Sequence, residues 1–350
     1  MRFTHLIAAG AAALLSAGAA TAQTPDVPAK RLEQIYAMSP EHMANSSKWI
    51  RAKYDQLLAH IRSIKDPKIR ALVLDMVVTP RSNVFNATAE RDAYLIAPAA
   101  GGPAHHFYPG GLAVHAVENI EISFGWADAL AKVHGVDNTN RDIIIAALTL
   151  HDWAKVWYQW DPASATIKRP DWFPAYWGGE QGIAKWRWMG GHGAIVYAEL
   201  MKRGAPMDLV IATAAAHFDP FWDVDKAEGK EGLNAALAEA AKLAGVPAPK
   251  VDPAKRMAEW WMIVYSDGSW SYSHYIAGQF AHNWARDVAK DLGLDPKSPQ
   301  ANKIANFALT RLSDFKLYSM YQAAGYDASV PKKAILGVLR ESSAFEMAAR

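Results

Sequence analysis

Apolar residues recur at steps of three and four along most of this chain, the spacing that one buried face of an α-helix requires. In the segment 30–78 this spacing is kept by Ile50, Tyr54, Leu57, Leu58, Ile61 and Ile64. Alternating β-branched runs, which are typical of strands, are nearly absent. The sequence therefore predicts an all-α fold, in which each helix buries one apolar face.

Later segments rich in Ala, Leu, Glu and Lys also favour helix. These predicted helices cover residues 112–134, 141–157, 193–203, 207–218, 233–244, 253–265 and 276–292. The interval 79–111 is rich in Pro and Gly, so we expect loops and turns there, ending at Gly110 and Gly111. Residues 161–191 are rich in Pro, Gly and Trp, which predicts an inserted loop.

The predicted helices are not separated by a repeat or a low-complexity linker. One helical domain with additions at both ends is therefore the simplest organisation. We place an N-terminal helical segment at 23–95, a core at 96–290 and a C-terminal helical segment at 291–350. With 350 residues, 51% of them apolar, the chain can bury a large core.

The first 22 residues have the pattern of a bacterial secretory signal peptide. Arg2 supplies the positive start, residues 6–20 are apolar or small, and residues 20–22 fit a cleavage site that ends at Ala22. We expect a mature chain that begins at Gln23 and is periplasmic or secreted. No later apolar stretch approaches the roughly 20 residues of a membrane span, so no transmembrane segment is expected in the mature chain.

Charge and cysteine content narrow the possible partners. Lys and Arg number 37 against 35 for Asp and Glu, and these charges are scattered along the chain. Duplex nucleic acid is not an expected partner, because it requires a basic stripe, whereas a small nucleotide substrate remains compatible. The chain has no Cys, so any metal ion must be held by His, Asp or Glu.

An ordered set of histidines and aspartates is the strongest functional signal in the chain. Its members are His115, His151, Asp152, His192, His217 and Asp267, each on or at the end of a predicted helix. A two-metal site needs several neutral imidazoles, one carboxylate able to bridge both ions, and open positions for water and substrate. Adjacent His151 and Asp152 can supply a terminal ligand and a bridge side by side. An ionisable pair at the end of a buried helix is costly without a compensating partner.

Two segments resemble the hallmark motifs of the HD-domain metal-dependent phosphohydrolases. They are residues 108–112, leading into His115, and residues 148–155, which contain His151 and Asp152. The resemblance covers residues 108–275 and implies an HD-domain-like helical bundle.

The resemblance also implies a ligand set for two divalent metal ions. The first ion would be held by His115, His151, Asp152 and Asp267. Members of the family with a second ion add two further histidines, which match His192 and His217 here, and Asp152 would then bridge the ions. Zinc, manganese, iron, cobalt and nickel all suit such ligands, so the sequence does not select among them.

Three further residues are candidates for the chemistry itself. Lys155 follows Asp152 by close to one helical turn, and the resemblance implies that it binds an anionic part of the substrate. His105 and His106 precede the Gly-rich turn. They could line the pocket, donate a proton to a leaving group, or only stack within a loop.

Tryptophan is concentrated beside the His-Asp motif. Seven of the 14 tryptophans are Trp153, Trp157, Trp160, Trp172, Trp177, Trp186 and Trp188. These rings could stack a planar base or cover an apolar group, or they could only pack the insertion onto the core. The intervening basic residues could meet an anion; they are Lys168, Arg169, Lys185 and Arg187.

The residues and the resemblance together favour an enzyme that hydrolyses a phosphomonoester or phosphodiester with metal-activated water. The expected substrate is small and phosphorylated, with nucleotides among the candidates. Two alternatives stay open: a di-iron oxygenase of the same superfamily, and a noncatalytic binding protein that metal ions stabilise.

Overall fold

The computed structural model describes residues 26–100, 105–135, 137–161, 163–173, 191–218, 233–249, 251 and 257–341. The expected signal peptide at 1–22 and residues 174–190 of the Trp-rich insertion lie outside these described residues. The described chain is mainly α-helical, which confirms the predicted all-α class. Two short antiparallel strand pairs accompany the helices: β1 (Arg81–Ser82) with β2 (Ala87–Thr88), and β3 (Gln159–Trp160) with β4 (Ile167–Lys168).

Three of the four N-terminal helices begin where the sequence provides a capping side chain. They are α1 (Ala29–Ala37), α2 (Pro40–Ser46), α3 (Lys48–Ser63) and α4 (Pro67–Val78). Ser39 caps α2, Ser47 caps α3 and Asp66 caps α4, each accepting a hydrogen bond from a backbone N–H of the first turn. Proline at the first position of α2 and of α4 costs no hydrogen bond, because that N–H has no partner within a helix.

The central helices carry the histidines and aspartates of interest. They are α5 (Ala93–Ile96), α6 (Gly111–His134), α7 (Arg141–Leu150), α8 (His192–Lys202), α9 (Met207–Ala215), α10 (Leu233–Ala244) and α11 (Ala258–Asp267). Helix α7 packs against α6, α9 and α11, and α8 packs against α9 and α10. Together with α3 and α4 these helices enclose the larger apolar core.

The C-terminal helices build a second apolar core with the N-terminal ones. They are α12 (Trp270–Ile276), a π-helix (Ala277–Ala281), α13 (His282–Asp291), α14 (Pro299–Leu312), α15 (Asp314–Ala323) and α16 (Ser329–Arg340). Ile35 of α1 and Ile50 of α3 are buried in this core with Phe307 of α14 and Leu339 of α16. The first and last helices that the structure describes, α1 and α16, therefore pack against each other.

One predicted helix is divided in the structure. The sequence predicts a single helix over 141–157, whereas α7 ends at Leu150 and a 3-10 helix covers Trp153–Trp157. In a continuing α-helix, the carbonyls of Leu148 and Thr149 would accept hydrogen bonds from the N–H groups four residues later. Here Nδ1 of His151 lies 2.8 Å from the Leu148 carbonyl, and the Tyr94 hydroxyl donates to the Thr149 carbonyl at 2.6 Å.

The predicted loop at 79–111 contains the β1–β2 pair and the short helix α5. Within the described ranges, no helix combines the length and the apolar character that a bilayer crossing requires.

Candidate metal centre

Side chains from five parts of the helical core meet in one cluster. His115 lies in α6, His151 and Asp152 directly follow α7, His192 begins α8, His217 follows α9, and Asp267 ends α11. All are buried except His217, which keeps 10% of its side chain exposed. The structure thus brings together every residue that the sequence offers as a metal ligand.

The start of α6 depends on two glycines. Gly110 has a φ of 90°, a conformation that side-chain-bearing residues rarely adopt. A Cβ atom on Gly111 would lie 1.9 Å from the carbonyl oxygen of His106. The loop that carries His105 and His106 can therefore pack onto the first turn of the helix that holds His115.

The first group of donor atoms comes from four side chains. Nε2 of His115 lies 3.1 Å from Nε2 of His151, and both nitrogens lie close to Oδ1 of Asp267, at 3.0 and 3.1 Å. Oδ2 of Asp152 lies 3.5 Å from the His115 nitrogen and 3.4 Å from the His151 nitrogen. Atoms bound to one ion at about 2.1 Å stand about 3.0 to 3.4 Å apart, so this group fits a metal ion.

The second group lies around the other oxygen of Asp152. Oδ1 of Asp152 lies 3.1 Å from Nε2 of His192 and 3.6 Å from Nε2 of His217. The two imidazole nitrogens are 3.5 Å apart. Oδ1 is buried and accepts no well-formed hydrogen bond from the part of the chain that the structure describes. A buried carboxylate oxygen without a partner is costly, and a cation at this position would satisfy it.

Neighbouring polar groups orient these rings and carboxylates. Nδ1 of His151 faces the Leu148 carbonyl, which fixes the hydrogen on Nδ1 and leaves the lone pair of Nε2 toward the cluster. The Tyr197 hydroxyl lies 3.1 Å from Nδ1 of His217. Asn119 donates from Nδ2 to Oδ1 of Asp267 at 3.1 Å. Sequence reasoning missed Asn119 and Tyr197, although Asn119 stands one helical turn after the ligand candidate on α6.

Positive neighbours keep both carboxylates ionised despite their burial. Burial raises the pKa of Asp152, but Lys155 and His151 lower it by more, to well below its ordinary value. Burial likewise raises the pKa of Asp267, but His151 and His115 together outweigh burial and lower that pKa to well below its ordinary value. Burial and the charge of Lys155 lower the pKa of His192 to about 3. Charged carboxylates and a neutral imidazole are the protonation states that metal ligands need.

The negative charge of the two carboxylates favours a bound proton or cation in the cluster. Burial lowers the pKa of His151, but the carboxylates of Asp152 and Asp267 outweigh burial and raise that pKa to about 10. A divalent cation bound between these groups would supply the charge in place of the proton. The donor set, its spacing and its charge therefore fit metal ions.

Lys155 lies where the motif predicts, on the same side as the Asp152 carboxylate. It is buried, and its ammonium donates to Oδ2 of Asp152 at 2.6 Å and to the Ala99 carbonyl. The ammonium is thus already bound to a negative group of the protein.

His105 and His106 have different surroundings. The His105 ring lies 4.9 Å from the His115 ring and lines the cavity over the cluster. His106 is buried beside a separate, smaller cavity of about 170 Å³, and its Nε2 lies 3.0 Å from Oε2 of Glu118. The two histidines face each other through their Nδ1 atoms at 3.4 Å.

A cavity of about 370 Å³ opens over the cluster. Its lining includes the donor residues other than His151, together with Lys155, Tyr158, Arg169, Trp270 and His274. The Trp270 ring stands between those of His105 and His274, at 6.2 and 6.1 Å. Small-molecule sites occupy about 300 to 1,000 Å³, so a small ligand fits here.

The described tryptophans beside the His-Asp motif pack against other parts of the protein. Trp153 is fully buried and donates from its indole to the Met76 carbonyl at 2.6 Å. Trp157 packs edge-on against Trp153 and against Trp172. Trp160 lies against Phe107. The other tryptophans and basic residues named in the sequence analysis lie outside the described residues; they are Trp177, Lys185, Trp186, Arg187 and Trp188.

The helical architecture and the buried histidine and aspartate cluster fit the HD-domain superfamily of metal-dependent phosphohydrolases. Among curated proteins, the chain is similar to a dihydroneopterin 2',3'-cyclic phosphate phosphodiesterase of Methanocaldococcus jannaschii, with 28% identity over 165 residues. The match covers 47% of this chain and 59% of that relative, less than two thirds of its length. No family model matches the chain, and no solved structure matches it.

Proposed function

We propose that this protein is a metal-dependent phosphoric ester hydrolase that acts on a small phosphodiester. The observation that carries the proposal is the position of Asp152, whose two oxygens face two separate groups of donor atoms. A carboxylate so placed is suited to bridge two ions, the arrangement used to activate water and clamp a phosphoryl group. Export to the periplasm is part of the proposal and rests on the first 22 residues.

In this proposal each ion has its own ligands and shares Asp152. Asp152, His115, His151 and Asp267 would hold the first ion, and Asp152, His192 and His217 would hold the second. Ions bound here supply Lewis acidity, which neutralises phosphoryl oxygens and makes water more acidic. Imidazole and carboxylate donors suit zinc, manganese, iron, cobalt and nickel.

Lys155 acts in this scheme mainly through Asp152. Its ammonium is bound to Oδ2, so it fixes the orientation of the carboxylate and balances its charge. It lines the cavity as well, so contact with a substrate oxygen remains part of the proposal.

His105 is the candidate to contact the leaving oxygen. Nε2 of His106 donates to Glu118, so the nitrogen that His106 presents to His105 is Nδ1. Burial lowers the pKa of His106, but Glu118 and Asp314 outweigh it and raise that pKa, which favours an imidazolium that donates through both nitrogens. The neutral His105 ring then accepts at Nδ1 and keeps its own hydrogen on Nε2. A neutral imidazole can stabilise developing negative charge by donating this hydrogen. His106 then serves to position His105.

The similarity to a phosphodiesterase supports a hydrolase over an oxygenase or a noncatalytic protein. That relative is named for a 2',3'-cyclic phosphate, so a five-membered cyclic phosphodiester is the substrate class to test first. Hydrolysis of such a ring opens one P–O bond with water and yields a phosphomonoester. The cavity is large enough for the ring and the group that carries it.

The test is hydrolysis of adenosine 2',3'-cyclic phosphate by protein loaded with manganese, zinc, iron, cobalt or nickel in turn. We expect a phosphomonoester product, and a loss of about a thousandfold or more in Asp152→Asn with the helical content unchanged. Asp128→Asn is the matched control, because Asp128 is exposed and pairs with Arg141 away from the cavity. Oxygen uptake by the iron-loaded protein without ester hydrolysis would establish the oxygenase alternative instead. Metal binding without activity on any ester would favour the noncatalytic one.

A further inference from the structure

The segment after Asp152 carries basic side chains that differ in how they are neutralised. Lys155 binds Asp152 at 2.6 Å, and Lys168 binds Oδ2 of Asp161 at 3.0 Å. Arg169 lines the cavity and forms no ion pair with any residue that the structure describes. Among the described Lys and Arg residues that line the cavity, Arg169 is therefore the one whose charge is available to a ligand.

Arg169 is exposed and borders the cavity beside Tyr158. It directly follows β4, whose Lys168 pairs with Gln159 of β3. Its guanidinium lies over the ring of Tyr158, 5.5 Å from the centroid, and Tyr158 is buried and lines the same cavity. An arginine stacked on an aromatic ring keeps its planar fork in a limited range of orientations. The fork is thus prepared to bind a group with two acceptor oxygens.

The cavity has room for a second charged part of a substrate. In the proposed function the reacting phosphodiester lies over the metal ligands, and the ammonium of Lys155 is already bound to Asp152. A volume of about 370 Å³ exceeds what one phosphate group fills, which leaves room for a second group beside Arg169. Guanidinium forks bind phosphate and carboxylate in the same bidentate way.

We propose that Arg169 is a specificity-determining residue that binds a second oxyanion of the substrate, distinct from the phosphodiester that is hydrolysed. The proposal rests on the proposed function for the identity of the reacting group. The arginine contacts the substrate in its ground state and in its transition state alike. Loss of this contact should therefore raise KM and leave kcat nearly unchanged.

The test compares adenosine 2',3'-cyclic phosphate with its 5'-phosphorylated derivative, which differs by one oxyanion. For the metal-loaded wild type we expect a KM about tenfold lower for the 5'-phosphorylated compound. Arg169→Gln removes this preference, and Arg169→Lys retains part of it. Lys168→Gln retains all of it, because Lys168 is the adjacent residue on the same hairpin but pairs with Asp161. A 5'-carboxylate derivative shows whether the preference extends to carboxylates or is restricted to phosphate.

Two results would overturn the proposal: equal KM values for both compounds in the wild type, or an equal loss of kcat/KM on both in Arg169→Gln, which indicates a structural role. If the wild type hydrolyses neither compound, the proposed function fails instead. In that case neither compound is consumed by the metal-loaded protein, so calorimetric titration can measure the affinity of each compound directly. Tighter binding of the 5'-phosphorylated compound that Arg169→Gln abolishes supports the oxyanion site, and equal affinities rule it out.

Discussion

The ammonium nitrogen of Lys155 lies 2.6 Å from Oδ2 of Asp152. Asp152 directly precedes the 3-10 helix, and Lys155 is the third residue of that helix. Side chains three residues apart eclipse each other in a 3-10 helix, whereas an α-helix turns them about 60° apart. The change of helix type after α7 therefore places the lysine directly over the carboxylate that faces both groups of donor atoms.

Lys155→Met should separate the role of this contact from metal binding. We expect the variant to keep its bound ions, since Lys155 donates no metal ligand, and to lose about a hundredfold in kcat because Asp152 is no longer fixed. Lys155→Arg should recover part of the loss. The measurement is kcat at a known metal content per chain. A variant with wild-type kcat would show that the contact has no part in the reaction.

His192→Ala tests whether the cluster holds two ions or one. Nε2 of His192 approaches Oδ1 of Asp152 and lies outside the group formed by His115, His151 and Asp267. We therefore expect elemental analysis to count two ions per chain in the wild type and one in the variant. The ion that remains in His192→Ala should depend on His115, His151 and Asp267. The companion variant His115→Ala should therefore lose that ion. Loss of all metal in His192→Ala would contradict two separable sites.

Removal of metal should lower the melting temperature of the folded protein. Ions that bind only the folded state stabilise it by about 2.7 kcal/mol per site when their concentration is a hundred times the dissociation constant. For a domain of this size, we expect a fall of about 5 °C or more after chelation and recovery when the ion is restored. Asp152→Ala supplies the control, because its melting temperature should not respond to chelator. An identical response of the two proteins would point to an effect of the chelator elsewhere.

The sequence predicts helices well where the apolar period is local. The predicted helix at 112–134 corresponds to α6 (Gly111–His134). The predicted helix at 207–218 starts at the same residue as α9 (Met207–Ala215), which ends earlier. The end of α7 is not local information. It depends on the Tyr94 hydroxyl, which reaches the Thr149 carbonyl from another element. The apolar pattern around residue 150 therefore gives no indication of that hydrogen bond.

The candidate site shows the same division between local and distant information. Histidines and aspartates at helix ends stand out in a sequence because they are costly to bury. Asn119 and Tyr197 do not stand out, since amides and phenols are common in helices, and their contacts with Asp267 and His217 appear only after folding. The position of Arg169 likewise follows from the β3–β4 pairing and could not be distinguished from that of Lys168 in the sequence.

Two glycine-to-alanine substitutions in α6 should have opposite effects on stability. A Cβ atom on Gly111 would lie 1.9 Å from the His106 carbonyl oxygen, so the backbone must move, at a cost of about 1 to 3 kcal/mol. Gly125 lies in the same helix, and beyond its own helix backbone nothing lies within 4 Å of an added Cβ, so alanine there should stabilise by about 0.5 to 1 kcal/mol. Urea unfolding of both variants measures the difference. Because His106 and His115 flank the crowded glycine, Gly111→Ala should also weaken metal retention, whereas Gly125→Ala should not. Equal unfolding free energies for the two variants would show that the His106 loop is not packed against α6 in this way.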